Sequence, residues 1–425
     1  MLLLRQVYGG RWNVLPCFAL AVLVCALFSA APAAAQTKKS KSATESATVP
    51  ADYRSQNFYL HTDLSPDEAK DLLERLETML SIISSYWARP CSGVIECYVV
   101  KELSRWPDGT LPKDGLSHIQ AGAGVTVTAS LSSGGAFLAK SIVYAVADRG
   151  TPQHEAVHAY CGQTFGTAGP VWYSEGMAEM GQYWHKDEKN VQSVHIHKVV
   201  LDYLRSSQPK SLNEIVNGEE FTGDSWQNYA WRWALCHLLA NNTNYAAKFR
   251  PLGLALLKKQ PTATFESVYG DMAEEIMFEY RFFLKHLEQG YRADLCSWDW
   301  KRKFRAAKGS ATVTSKIMAD RGWQPSGMIV SGGVDYEYKA PGTWRTSEKG
   351  DAVTADGAKD GGAGRLMGVV MKDFELSEPF ELGVNGSFTA PSDGQLYLRC
   401  QDKWGELADN DGTMTVKLKQ AKKGK

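Results

Sequence analysis

The chain has 425 residues, of which 44% are hydrophobic and 11% aromatic, so it can bury enough apolar surface for two or three domains. Lysine plus arginine and aspartate plus glutamate both number 47, and this balance provides no bulk positive field of the kind that nucleic-acid binding uses. The composition excludes a disordered or fibrous protein and argues against a nucleic-acid partner.

Residues 1–35 have the order of a secretory signal peptide. Arg5 and Arg11 precede an apolar run that begins at Leu15, and three alanines ending at Ala35 stand before the polar stretch that starts at Gln36. We expect cleavage after Ala35 and export to the periplasm, the cell surface or the medium, with no stable membrane span in the mature chain. The alternative is an uncleaved anchor, because the apolar run approaches the ~20 residues that span a bilayer.

Six cysteines follow the predicted signal, an even number in a chain expected to reach an oxidising compartment, so we expect some disulfides. Cys91 and Cys97 bracket a short polar loop and are the best local pair. No two cysteines have the Cys-x2-Cys spacing, which argues against a zinc site made of cysteines. The six are Cys91, Cys97, Cys161, Cys236, Cys296 and Cys400.

The remaining chain divides into three kinds of pattern. Residues 36–52 are rich in Lys, Ser, Thr and Ala without apolar periodicity, which predicts a flexible linker. From 53 to 300, strand patterns are followed by mainly helical ones, which predicts an α+β domain. From 301 to 425, short strand patterns alternate with Gly, Asp, Ser and Pro turns and predict an all-β sandwich domain. One predicted helix begins at Ser65-Pro66, and four others cover residues 191–204, 225–239, 245–257 and 272–286.

Two histidines stand four residues apart in His154-Glu155-Ala156-Val157-His158. On a helix this spacing puts both imidazoles on one face, where they can share a metal ion. Glu155 lies one step round the helix, where a carboxylate can take a proton from zinc-bound water and return it to a leaving group. The pattern predicts one zinc ion with Glu155 as general base and then general acid. The alternative is that both histidines make ordinary polar contacts on a half-buried helix.

A second acidic element argues against that alternative. Glu175 and Glu179 stand four residues apart in the segment 172–179, which predicts a second helix. Glu175 can complete a site with two histidines, and Glu179, one turn further on, can accept the free N–H of a ligand histidine. The two elements together predict His154, His158 and Glu175 as metal ligands, with Glu179 orienting one histidine.

The two elements resemble the gluzincin metallopeptidases, and particularly the peptidase-MA-like family, in which a Pro-x-Trp-x-x-Glu-Gly-x-Ala-Glu element follows the His-Glu-x-x-His helix. Pro170, Trp172 and residues 175–179 match that element, and the resemblance covers about residues 53–291. It implies a zincin-like catalytic domain, Glu175 as the third ligand, and a peptide or protein substrate. The spacing between His158 and Glu175 is shorter than in the aminopeptidase and thermolysin groups, which leaves the turn between the two helices open.

The gluzincin resemblance also implies a donor for the developing oxyanion. Members of this group commonly supply a Tyr or His from a later helix, and Tyr229 is the matching candidate. The alternative is a buried aromatic residue on a helix that carries several tryptophans. His237 is a weaker candidate, whereas His195 and His197 are expected on a surface helix.

The C-terminal part, from about Trp323, resembles the PA-I galactophilic lectin-like β-sandwich family. In that family calcium bridges sugar and protein, so the resemblance implies a carbohydrate partner and Ca²⁺ held by the hard oxygens of Asp409, Asn410 and Asp411. The alternative is an Asp/Asn/Gly turn between two strands. The matching residues are 323–328, 342–344, 364–368, 394–399 and 409–412.

Two functions therefore remain from the sequence. The first is an exported zinc-dependent metallopeptidase that hydrolyses peptide bonds with Glu155 acting on water. The second is a non-catalytic glycan- or cell-wall-binding protein, in which the zincin scaffold is structural and the β-domain binds. The presence of Glu155 favours the enzyme, because a site that had lost its catalytic activity would have no chemical reason to keep that carboxylate.

Overall fold

A computed structural model describes residues 4–10, 49–133, 136–148, 150–184, 195–218, 225–307, 311–359 and 362–422. The α-helices in these ranges are α1 (Pro66–Trp87), α2 (Lys113–Gln120), α3 (Thr151–Phe165), α4 (Val171–Tyr183), α5 (Lys198–Ser206), α6 (Leu212–Val216), α7 (Trp226–Asn241), α8 (Ala246–Leu257), α9 (Phe265–Tyr269) and α10 (Ala273–His286). The β-strands are β1 (Leu4–Gly10), β2 (Ala51–Arg54), β3 (Phe58–Thr62), β4 (Ile95–Val100), β5 (Gly124–Ser133), β6 (Ala136–Val146), β7 (Arg305–Ala306), β8 (Val313–Met318), β9 (Gln324–Val330), β10 (Asp335–Lys339), β11 (Leu366–Lys372), β12 (Glu375–Leu376), β13 (Phe380–Glu381), β14 (Asn385–Thr389), β15 (Gly394–Cys400) and β16 (Thr413–Gln420).

A mixed sheet carries the N-terminal part, with the strand order β1-β5-β6-β4-β3-β2. Strands β3, β4 and β6 run parallel, and β5 runs antiparallel to β6. Because successive side chains face opposite sides of a strand, Val143 and Ala145 join the core under α1 and α3, whereas Tyr144 packs against α2 on the other face. The sheet thus lies between helices, and α3, which carries the two histidines, packs on β5 and β6.

Helix α1 begins where the sequence predicts. The Ser65 hydroxyl accepts a hydrogen bond from the Glu68 backbone N–H, the Glu68 carboxylate accepts one from the Ser65 N–H at 2.8 Å, and Pro66 is the first helical residue. Helices α7, α8 and α10 also lie close to their predicted bounds. Helix α5 begins only at Lys198, and residues 191–194 of that prediction lie outside the described ranges.

Two strands fall in segments for which the sequence predicts none. Strand β2 begins inside the predicted linker 36–52, most of which lies outside the described ranges. Strand β1 falls within the predicted signal and pairs antiparallel with β5, from Leu4 opposite Ser130 to Gly10 opposite Gly124. The rest of the signal is outside the described residues, so cleavage after Ala35 stays a prediction.

The C-terminal part consists mostly of strands in two sheets. One has the order β14-β10-β16-β8, and the other has the order β12-β11-β15-β9-β7, with β13 also paired to β11. An apolar cluster between them includes Val416 and Leu418 of β16 and Leu396 and Leu398 of β15. An α+β part followed by a strand-rich part confirms the predicted fold class in coarse terms.

A second apolar cluster joins α10 to the strand-rich part. Phe278 and Phe282 of α10 pack with Trp298, and the Trp298 ring lies 4.6 Å from the ring of Tyr397 on β15. Met371 of β11 belongs to the same cluster. The two parts of the chain therefore share an aromatic interface rather than meeting only through a linker.

Glu279, on the same helix, is a buried carboxylate that ties the chain together next to this interface. Its Oε1 accepts hydrogen bonds from the Tyr245 hydroxyl at 2.8 Å, the Asn244 amide at 2.9 Å and the Trp300 indole N–H at 2.7 Å. Its Oε2 accepts one from the Trp298 backbone N–H at 3.2 Å. Burial raises the pKa of Glu279, and these donors oppose that rise. The contacts connect α10 to the start of α8 and to the segment that leads into the strands.

The sequence predicts some disulfides, but all six cysteines after the predicted signal are free thiols in the structure. Cys97 lies in β4 with its side chain in the core beneath the helices, whereas Cys91 is part-exposed in the preceding loop, its Sγ directed to the Gly93 carbonyl oxygen at 3.5 Å. The predicted Cys91–Cys97 bond is therefore absent. Among the helices of the described ranges, none has the length and apolar character needed to cross a bilayer.

Candidate metal centre

Helix α3 is fixed at both ends. The Asp148 carboxylate accepts hydrogen bonds from the backbone N–H groups of Gly150 and Thr151, at 2.9 and 2.6 Å, and from the Thr151 hydroxyl at 2.7 Å. These contacts satisfy donors that a helix leaves free at its N-terminus. At the other end Gly166 adopts a φ of 77°, a left-handed conformation that favours glycine. Residues 151–163 are all buried, so the positions of the two histidines on this helix are set by packing on every side.

His154, His158 and Glu175 come together between α3 and α4. The His154 Nε2 lies 3.2 Å from the His158 Nε2, and the Glu175 Oε2 lies 3.3 and 3.4 Å from those two nitrogens. Ligands bound at the usual zinc distances in a tetrahedron lie about 3.3–3.4 Å apart. The three atoms therefore form a nearly equilateral triangle of the size that a single tetrahedral ion requires, and this buried group can hold a metal ion.

The charges in this group stabilise one another. Burial alone would lower the pKa of His154, but Glu175 and Glu179 outweigh it and hold that pKa well above its usual value. Burial alone would raise the pKa of Glu175, but the two imidazoles outweigh it and hold that pKa far below its usual value. Glu175 is thus an anion facing two imidazole nitrogens, which is the charge state of a metal-binding carboxylate.

A second layer of contacts orients the histidines. The Glu179 Oε1 lies 3.2 Å from the His154 Nδ1. The other oxygen of Glu179 accepts hydrogen bonds from the Tyr183 hydroxyl at 3.0 Å and from the Gln182 amide. The Ser174 hydroxyl lies 3.2 Å from the His158 Nδ1. Each histidine therefore has its Nδ1 held by a side chain of α4 and its Nε2 directed toward the other ligands.

Glu155 is buried beside this triangle without belonging to it. Its Oε2 accepts a hydrogen bond from the Thr126 hydroxyl at 2.8 Å, and burial is the main cause that raises the pKa of this carboxyl. The alternation along β5 turns Thr126 toward α3, while its neighbours Val125 and Val127 face the opposite side. A Cβ at Gly124 would lie 2.7 Å from the Glu155 Cγ, so only glycine leaves room for this carboxylate.

The remaining candidates from the sequence are one tyrosine and three histidines. Tyr229 on α7 is buried with its ring 5.9 Å from the His154 ring, so the structure brings this candidate to the site. The guanidinium of the buried Arg232, one turn further along, lies 5.6 Å from the centre of the Tyr229 ring. His237 packs against Trp233 elsewhere on α7. His195 and His197 are exposed, but they precede α5 rather than lying on it.

The three calcium candidates differ in their burial. Asn410 is buried, whereas Asp409 and Asp411 are exposed, and Asp411 pairs with Arg345 across an isolated bridge. Instead, the Asp402 carboxylate lies near the Asn410 side chain, which tends to lower its pKa against the larger effect of burial. The Asp402 Oδ2 and the Asn410 Oδ1 are both buried without a hydrogen-bond partner. The sequence pattern missed Asp402, which stands outside the Asp-Asn-Asp triplet.

Comparisons with known proteins add little to this geometry. No protein-family model matches the chain, and no curated protein matches it. Among solved structures, it is similar to the N-terminal domain of EclA, described as a PllA-like lectin, at 18% identity over 25% of this chain and 95% of that one. The TM-score is 0.22, so this similarity assigns no function to the chain.

Proposed function

We propose that the chain is a zinc-dependent metallopeptidase that acts after export. The observation that carries the proposal is the triangle of His154, His158 and Glu175, whose 3.2–3.4 Å edges suit one tetrahedral ion. A group of two histidines and one carboxylate leaves a fourth position for water or substrate, which distinguishes a catalytic zinc site from a closed structural one. The resemblance to gluzincins supports a peptide substrate, although the geometry alone supports any metal-assisted hydrolysis.

Zinc, when bound, lowers the pKa of a coordinated water and polarises the carbonyl that the water attacks. Glu155 accepts the proton from the water, since the Thr126 hydroxyl occupies its Oε2 and leaves Oε1 as the basic atom. The raised pKa of Glu155 suits this role, because a base whose pKa lies nearer neutrality also returns the proton to the leaving nitrogen. Tyr229 is the proposed donor to the developing oxyanion.

The test compares wild type, Glu155→Gln and an exposed control, Glu274→Gln. We expect zinc in all three by elemental analysis, and hydrolysis of a diverse peptide library by wild type and Glu274→Gln only. A chelator should abolish the activity, and added zinc should restore it. Zinc in wild-type protein with no turnover on any peptide or protein substrate would instead support the non-catalytic glycan-binding function.

The second candidate function is calcium-dependent carbohydrate binding by the strand-rich part. Its specific support is the pair of unpartnered buried oxygens on Asp402 and Asn410, because calcium prefers such carboxylate and amide oxygens. We expect calcium to raise the melting temperature of wild type but not of Asp402→Asn/Asn410→Leu. An equal shift in both proteins would remove this candidate.

A further inference from the structure

A cavity of about 310 Å³ opens between α10 and the strand-rich part. One side is formed by Phe282, Lys285 and His286 of α10, and the other includes Trp323, Arg399 and Trp404. Lys285 is exposed at the rim, as is Glu378 on the opposite side. None of the proposed metal ligands lines the cavity, and it plays no part in the function proposed above.

Arg399 is the unusual residue of this cavity. It is only 5% exposed, and among the described residues it forms no salt bridge within 4 Å, although the charge of Asp402 acts on it and opposes the lowering of its pKa by burial. Its Nε donates a hydrogen bond to the Cys400 carbonyl at 3.0 Å and its Nη2 donates one to the Asp402 carbonyl. The indole of Trp404 stacks on the guanidinium, 3.7 Å from the ring centre. Buried arginines are normally paired, because an uncompensated charge away from water is costly.

Two cations, Lys285 and Arg399, and two carboxylates, Glu378 and Asp402, line the cavity. Burial, followed by the charges of Lys285, Arg399 and Arg205, lowers the pKa of His286 to about 4, so this ring is neutral at physiological pH. Asp402 also lines the cavity; its Oδ1 accepts a hydrogen bond from the Lys403 backbone N–H, and burial raises its pKa while the charge of Arg399 tends to lower it. Among the hydrogen bonds of the described residues, Arg399 meets Asp402 at its backbone carbonyl.

We propose that this cavity, the Arg399 cavity, binds a small molecule that bears a carboxylate. The carboxylate pairs with the guanidinium of Arg399, and the rest of the molecule packs against the indole of Trp404 and the ring of Phe282. A volume of about 310 Å³ is at the lower end of ligand sites, which restricts the occupant to a single amino-acid or sugar unit. A peptide-type acid and an acidic sugar share this chemistry, and the probes below distinguish them.

The test uses the full-length protein and isothermal titration calorimetry with three probes. N-acetylphenylalanine is the peptide-type carboxylate, glucuronate is the sugar-type carboxylate, and N-acetylphenylalanine amide is the neutral control. We expect at least one carboxylate to bind about tenfold or more tightly than the amide, because a charge-assisted hydrogen bond is lost with the neutral probe. Equal affinities for all three probes, or no binding of either acid at about 10 mM, overturn the proposal.

Variants locate the binding. Arg399→Gln should reduce carboxylate affinity by about tenfold or more, while Arg345→Gln, an exposed arginine on the same part of the chain, should leave it unchanged. Because Arg399→Gln could fail to fold, two exposed rim variants provide an independent readout: Lys285→Glu should weaken carboxylate binding and Glu378→Lys should strengthen it. Carboxylate binding that is unaffected by both rim variants places the ligand elsewhere and overturns the proposal.

Discussion

Glu175 and Glu179 lie one turn apart on α4, and each has been placed by the structure against His154. The Glu175 Oε2 contacts the Nε2 atoms of both histidines, whereas the Glu179 Oε1 contacts only the Nδ1 of His154. Because the two nitrogens of an imidazole point away from each other, an ion bound at Nε2 is within reach of Glu175 and out of reach of Glu179. Truncating each carboxylate to alanine should therefore affect zinc binding by different amounts.

The expected losses of zinc affinity follow from these contacts. Zinc-binding free energies of about 10–16 kcal/mol, shared among three or four ligands, correspond to about 3–5 kcal/mol for each ligand, or roughly 10²–10⁴ in affinity. Glu175→Ala should lose this much. Glu179→Ala removes a partner of a ligand, which typically lowers affinity about 10 to 100-fold. The Glu179 variant should also keep part of its turnover, since the ligand set is intact.

Competition with a zinc-binding chromophoric chelator measures both affinities, and Glu274→Ala serves as an exposed control on α10. The melting temperature of each zinc-free protein shows whether the fold survives the substitution. The reasoning is refuted if Glu179→Ala binds zinc more weakly than Glu175→Ala. That order would make Glu179 a ligand and would require a rotation of α4 relative to α3.

Three further outcomes can be tested with the same protein. Glu155→Gln should bind zinc as tightly as wild type and lose turnover; loss of zinc in elemental analysis would contradict the assigned role. Gly124→Ala should keep its zinc while kcat falls by up to about 100-fold, because the new Cβ displaces the Glu155 side chain; unchanged kcat would argue against that crowding. A chain ending at Trp300 should retain zinc yet melt at a lower temperature, since Phe278 and Phe282 lose their cover; an unchanged melting curve would mean that the aromatic interface adds no stability.

The proximity of the four side chains between α3 and α4 could be predicted from the sequence because helical periodicity is local. His154 and His158 stand one turn apart on α3, and Glu175 and Glu179 repeat that spacing on α4. Predicting which way these four side chains face therefore required only that the two helices be predicted correctly. Thr126 could not be found in this way. Its contact with Glu155 spans 29 residues and depends on the pairing of β5 with β6 and on the packing of α3 across both.

The predicted cysteine pair was wrong, and the three calcium candidates differ in burial, for a related reason. Asn410 has an extended backbone, with φ of −73° and ψ of 146°, and successive side chains on extended backbone point to opposite sides. Adjacent Asp and Asn residues therefore do not share a site merely because they are adjacent. The same alternation carries Cys97 into the core, away from the loop in which Cys91 lies.

The aromatic contact between α10 and the strands has a consequence for the proposed enzyme, if the strand-rich part binds its substrate. A region on a flexible linker raises the local substrate concentration by an amount that depends on the linker's length and stiffness. Here Trp298 and Tyr397 stack across the junction, and Glu279 anchors the segment that crosses it, so the strand-rich part is held at a fixed offset. If the proposed function holds, a polymer bound by the strands would present the same short stretch to the metal ion each time, and distance along the polymer, as well as its chemistry, would select the bond that is cut.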